Sequence, residues 1–391
     1  MKRLVKILSF VTLIMCIVLL FVACFSSDND TNTNNTVQSN NTSNPTDDID
    51  YDNFEYKVID HNQTCVITGL KNRDIKKLVV PQKIEQYIVT AIADNAFQLC
   101  GVEEVILPST LTKIGNGAFS QCFYLVSISL PDNVNQIGES AFYKCSSLEI
   151  INIPNSITTI SKNMFYGCSS LRIVSLGDNV NSIEEYAFHQ CQLLEEIVFP
   201  STLKYIGEGA FMGCNSLTKI VLPKGLIEID YSAFSVCTSL TEIYLSSSVY
   251  LLSIPFTMEC PSLISFVVDS KNVDLCSIDG VLYNKQLNLL IAYPSGKQDQ
   301  EWTIPNTVVE IFNAAFVSNR YIQTINIPKS IKFIGPAIFA DCDNLKTINY
   351  EGTISMWNAI SKHNSWNEQS PNFIVYCTDG QIAKDGTVTY N

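Results

Sequence analysis

Residues 148–170 read LEIINIPNSITTISKNMFYGCSS, and the 23 residues that follow, 171–193, read LRIVSLGDNVNSIEEYAFHQCQL. Leu148, Ile151, Ile153, Ile157, Ile160, Phe165 and Cys168 of the first stretch are matched by Leu171, Val174, Leu176, Val180, Ile183, Phe188 and Cys191 of the second. The same offsets return in Leu194, Ile197, Phe199, Leu203, Ile206, Phe211 and Cys214. A fixed period of this size is the signature of a solenoid, in which each unit buries its apolar face only against its neighbours. Working outward, the phenylalanine recurs at positions 97, 119, 142, 165, 188, 211 and 234, and again at 316 and 339. A cysteine follows three residues behind each, except that Asn319 stands behind Phe316. Cys260, four residues after Phe256, continues the series irregularly.

Within one unit, Ile151 and Ile153 alternate at period 2 and predict a short strand, because alternate side chains share a face. The next residue is a proline at 108, 131, 154, 200, 223, 305 and 328, which ends the strand because it has no amide hydrogen to pair. Gly115, Gly138 and Gly207 allow a tight bend ahead of the phenylalanine. No repeat carries helical spacing for long enough to make a helix, so the far side reads as turns, brief strands or 3₁₀ pieces. The expected fold is a mainly β solenoid of the right-handed superhelical kind, with 23-residue coils and a parallel sheet on one face. Stacked coils set successive strands roughly 4.8 Å apart.

The array spans about residues 87–350, and the register breaks between Thr257 and Trp302. There Gly280 to Tyr283 and Leu289 to Tyr293 read as a β-hairpin inserted at about 270–300, with the period resuming at Trp302-Thr303-Ile304-Pro305. Residues 51–86, with strand-like YKVID and CVITGL, read as an N-terminal cap over an otherwise open edge. Residues 351–391 read as a distinct C-terminal cap, with a short helix around Ile354 to Ser361 and strands at Phe373 to Cys377 and Thr387 to Tyr390.

The phrase Leu-x-x-Ile-x-Leu-Pro, then x-x-Leu-x-x-Ile-Gly, then x-x-Ala-Phe-x-x-Cys resembles the BspA-like leucine-rich repeat family of bacterial surface proteins. The resemblance covers about Leu78 to Tyr350, and the segments DGVLYNKQLNLLIAYPSG and GTISMWNAI also resemble sequences that recur in that family. It implies a cell-surface or secreted protein tied to adhesion or host-protein binding, and it brings no catalytic residues with it.

Residues 1–23 read as a targeting segment, with Lys2, Arg3 and Lys6 ahead of an apolar run from Ile7 to Ala23. Leu20-Phe21-Val22-Ala23-Cys24 resembles a bacterial lipoprotein cleavage box, which implies lipidation of Cys24 and a chain held on the extracellular face of the membrane. An uncleaved anchor or plain secretion are the alternatives. Residues 24–50 are Ser, Asn, Thr and Asp almost throughout and read as a disordered tether. The 25 basic and 38 acidic residues leave a net charge of −13 and no basic stripe, which argues against nucleic-acid partners.

Chemistry is scarce. Cysteines 22 or 23 residues apart do not form the close pairs of a metal site. They read as a ladder of buried, unreactive thiols, with disulfides between stacked neighbours as the alternative in an exported protein. Cys65, Cys276 and Cys377 fall off the ladder, and His61, His189 and His363 read as surface residues. No nucleophile elbow, phosphate loop or calcium loop is present, and no cofactor is expected. Recognition would then fall to the outward strand positions. Between the two core positions stand Ile106, Ser129, Asn152, Ser175, Val198, Val221, Tyr244 and Val267. Four consecutive coils, from Val198 to Val267, show apolar groups in one row, flanked two residues earlier by Glu196, Lys219 and Glu242. Such a stripe reads as a contact site for an extracellular protein or glycan. Alternatively, β-branched residues simply favour strands, or the inserted hairpin folds over them. A structural or self-associating envelope spacer is the second reading of the whole chain, and a wall or glycan hydrolase the third.

Overall fold

In the repeat, a strand pairs with its own equivalent one period later. Ile150 lies opposite Ile173, Ile151 opposite Val174 and Asn152 opposite Ser175, all parallel. A second short strand in each coil does the same on another face, with Thr159 opposite Ser182 and Ile160 opposite Ile183. Alternation decides which side is buried: Ile151, Val174, Ile160 and Ile183 are core residues, while Asn152 and Ser175 face solvent. The computed structural model describes residues 49–59 and 63–391. The expected targeting segment, Cys24, the tether up to residue 48 and His61 lie outside the described residues. The described chain is a β-solenoid of about 14 turns with 23-residue coils, parallel sheets and almost no helix.

One turn holds the coils in register. The rings of Phe97, Phe119, Phe142, Phe165, Phe188, Phe211 and Phe234 are fully buried and form a column with centroids 5.2–5.5 Å apart. The inner pairs are stacked, with interplanar angles from 3° to 14°. Each phenylalanine N–H donates across to the next coil, as in Phe119 to Ala141 O (2.8 Å) and Phe165 to Ala187 O (2.8 Å). Its carbonyl accepts two bonds. One comes from the N–H of the cysteine three residues on, as in Cys122 to Phe119 at 3.1 Å. The other comes from the thiol of the next coil's cysteine, at 2.9–3.3 Å for Cys122, Cys145, Cys168, Cys191, Cys214, Cys237, Cys260 and Cys342. Both lone pairs of a buried carbonyl are thereby used. This explains why a small residue with a donor recurs here. Where Asn319 replaces the cysteine, its amide donates to the carbonyls of Pro294 and Lys297, both at 3.0 Å. All twelve described cysteines are unpaired. Burial pushes the Cys145 and Cys191 thiols well above their ordinary value and Cys122 up to about 12.

The interruption has more structure than the sequence reading gave it. Leu275–Ile278, Val281–Asn284 and Leu289–Ala292 form a three-stranded antiparallel meander in place of a two-stranded hairpin. Its first turn is Asp279-Gly280, with φ of 50° and 79°, the conformation a two-residue hairpin loop requires. Leu289–Ala292 then pairs in parallel with Glu310–Ile311 and returns the chain to the solenoid. The period resumes at Tyr293, ahead of Trp302. Tyr293 stands 23 residues before Phe316 (316 − 293), stacks on it at 5.2 Å, and donates its N–H to Ala315 O at 2.7 Å. The N-terminal end is closed by an antiparallel hairpin, Phe54–Ile59 with Thr64–Leu70. The C-terminal end carries the helix Ile354–Ala359 and three antiparallel strands, Ile374–Cys377, Gly380–Ala383 and Val388–Tyr390.

Replacing Phe165 with alanine empties one place in the ring column and should cost about 3–5 kcal/mol, measured by urea unfolding. A loss below about 1 kcal/mol would show that the column does not hold the coils. Thiol labelling of the native chain, mapped by peptide mass, should mark the half-buried Cys276 and Cys377 and leave the ladder cysteines untouched until denaturant is added. Equal labelling of Cys168 and Cys377 would contradict the buried-donor account.

Candidate binding surface

The face that carries the apolar row is built by the first strand of each coil. Lys77–Val79, Glu104–Ile106, Ser127–Ser129, Ile150–Asn152 and Ile173–Ser175 form one sheet, and Lys219–Val221, Glu242–Leu245 and Ser265–Val268 another. Pairing sets Val221 opposite Tyr244, and Tyr244 opposite Val267. Three members of the row therefore stand in true register. Val198 does not pair: residues 195–199 form no strand, and the segment separates the two sheets. Here Phe199 takes the place of Leu176 and Leu222, and its ring meets Phe211 edge-on at 5.7 Å. We attribute the gap to this larger ring, which holds the segment away from both ladders.

Exposure differs along the row. Val198 is 71% exposed, Val221 55% and Tyr244 40%, whereas Val267 is half-buried. The insertion accounts for Val267. It meets the edge strand through Phe266 N–H to Gly280 O (2.9 Å) and Val268 N–H to Ser277 Oγ (3.2 Å). It thus abuts the end of the row and leaves Val221 and Tyr244 in solvent. The flanking charges are not equivalent. Lys219 pairs with Glu242 at 2.6 Å and lies 5.4 Å from the Tyr244 ring centre, so it fixes the tyrosine from one side. Glu196 is exposed.

The row has an extension that the sequence reading missed. Ile150 and Ile173 are exposed and directly paired, on the track that carries Glu196 and Lys219 in later coils. Val126 is exposed one coil before them. Following both outward positions of each strand, instead of the single one between the core residues, would have revealed it. The apolar surface therefore runs obliquely, from Val126 through Ile150 and Ile173 to Val198, Val221 and Tyr244.

Residues 90–194, 158–277 and 295–367, together more than half of the chain, match six copies of the BspA-type leucine-rich repeat region. The chain belongs to the BspA-type leucine-rich repeat family. A leucine-rich repeat protein from Bacteroides ovatus is 23% identical, over 84% of this chain and all (100%) of that one, with a TM-score of 0.51, which shows a shared fold. A leucine-rich cell surface protein from Faecalibacterium prausnitzii is 24% identical over 79% of this chain and 96% of that one, with a TM-score of 0.49. The pneumococcal vaccine antigen PcpA is 23% identical over 76% and 68%, with a TM-score of 0.40. No curated protein matches the chain in sequence.

In this BspA-type solenoid the two described histidines lie apart from the apolar row. His189 continues an aromatic column on the turn side, 4.5 Å from Tyr166, and burial lowers its proton affinity. His363 Nδ1 lies 2.9 Å from Ser365 Oγ in the C-terminal cap. Among the described residues, no three His, Cys, Asp or Glu side chains gather as metal ligands, and no helix is long and apolar enough to cross a membrane.

Proposed function

We propose that this chain is a non-enzymatic bacterial surface protein that binds an extracellular protein partner through the oblique apolar row of its sheet face. The observation that carries the reading is the solvent exposure of Val198, Val221 and Tyr244, at 71%, 55% and 40%, on consecutive coils of a rigid frame. A row of apolar side chains flanked by Glu196, Lys219 and Glu242 suits the apolar centre and polar rim of a protein interface better than the hydroxyl groups of a glycan. Recognition would be additive over many shallow contacts, with no bond made or broken. Membership of the BspA-type family and the cell-surface description of the Faecalibacterium neighbour support export. Lipidation at Cys24, with residues 24–50 as a tether, would place the solenoid on the extracellular face of the membrane.

The test uses the full chain to capture partners from host-matrix and envelope extracts, followed by affinity measurement with the purified captured protein. Val221→Lys with Tyr244→Lys should weaken binding by about tenfold or more at an unchanged unfolding midpoint. Undiminished binding by the folded double variant would remove this face from the account. Capture of the chain by itself alone would support the envelope-spacer reading instead.

A further inference from the structure

The second ladder of the solenoid opens at one place. Elsewhere on that face, the residue after the core isoleucine donates its N–H to the isoleucine carbonyl one coil earlier. Examples are Gly138 to Ile114 (2.9 Å), Glu184 to Ile160 (2.9 Å) and Gly207 to Ile183 (2.8 Å). Between Gln136–Ile137 and Thr159–Ile160 this bond is missing, and the two strands fall into different sheets. Ser161 explains the opening. Its hydroxyl donates to the Ile137 carbonyl at 2.8 Å and takes the place of its own N–H, as short hydroxyl side chains do. The bond expected from Thr158 N–H to Asn135 is absent as well, although Asn135 to Thr112 (3.0 Å) and Asn181 to Thr158 (2.8 Å) are made on either side.

A hollow of about 360 Å³ lies over this opening. Its floor is backbone: a Cβ on Gly138 would stand 2.5 Å from the Asn116 nitrogen. Lys113, Gln136 and Thr159 project around it, and their side chains make no hydrogen bond within the chain. Asn116 is shared with a second hollow of about 370 Å³ whose wall is the Tyr143 ring. That ring ends the turn-side column, being 5.0 Å from Tyr166. The column stops there because the residue one coil earlier in the same position is Ser120. The exposed Lys144 ammonium lies 5.2 Å from the ring centre.

We propose that these adjoining hollows are one groove that binds a neutral oligosaccharide. An aromatic ring on one wall offers its electron-rich face to sugar C–H groups. The amides and hydroxyls along the floor and rim match sugar hydroxyls, each of which both donates and accepts. The two volumes lie in the range of small-ligand sites. The net charge of −13 disfavours acidic glycans. The groove shares no residue with the apolar row, so each reading stands or falls by itself.

The full chain is titrated with chitotriose, maltotriose and cellotriose by saturation-transfer NMR and calorimetry. At least one should bind saturably. Ser120→Tyr repeats in this coil the residue type that Tyr143 and Tyr166 place in the next two, and extends the column into the hollow. It should weaken that binding by about tenfold or more at an unchanged unfolding midpoint. Gln136→Ala, at an exposed side chain with no partner, should weaken it too, and decides the matter if Ser120→Tyr does not fold. Binding of none of the three sugars, or binding undiminished in the folded variants, overturns the proposal.

Discussion

One backbone residue per coil, the repeated phenylalanine, ties each turn of this protein to the next. Its N–H reaches forward to the following coil, and its carbonyl receives both the cysteine N–H of its own turn and the thiol of the next. Its ring lies in a fully buried column. These three requirements act in the same direction and permit no slip. A coil one residue longer or shorter moves the phenylalanine out of the column, the thiol off its carbonyl, and every strand side chain to the wrong face. The period of 23 is therefore maintained by geometry at a single turn. The insertion shows the same constraint. The meander leaves the frame freely, yet the chain returns with Ala292-Tyr293, which restores the ring and the forward N–H bond ahead of Phe316.

Around this turn the backbone adopts a left-handed conformation twice per coil. Asn95, Ser140, Asn163, Tyr186 and Ser232 hold it two residues before the phenylalanine, and Leu99, Gln121, Lys144, Gln190 and Val236 two residues after. Few of these are glycine, and a β-branched residue such as Val236 is disfavoured there. The stacked coils on either side over-determine the turn, so the local cost is outweighed by burial and by the inter-coil bonds.

The fold was legible because its cause is local and repeated: the offsets that place Ile151, Ile160, Phe165 and Cys168 in the core are visible in the sequence itself. What stayed hidden depends on how one coil meets another. Nothing in the segment around Val198 announces that it leaves the sheet, since the cause is the size of Phe199 against Phe211. Nothing in Ser161 announces that its hydroxyl opens the second ladder. The ion pair between Lys219 and Glu242 joins residues one period apart and follows from register, not from adjacency. Two features were readable and passed over: Asp279-Gly280, a strong hairpin signal, and Ala292-Tyr293, a variant of the repeated turn. The apolar row was read from one outward track, and the paired Ile150 and Ile173 lay on the other.

A solenoid of this kind separates stability from recognition. The buried positions are monotonous, while the outward positions change from coil to coil at little cost to the core. The first-strand face and the second-strand groove can therefore carry different specificities on one rigid frame. All of this rests on the inter-coil bonds at the phenylalanine turn, and residue-resolved hydrogen exchange reads them directly. The amides of Phe119, Phe165, Phe188 and Phe211 should exchange only through large-scale opening, among the slowest in the chain. Exchange of those four amides as fast as that of the exposed turn residues would contradict the account.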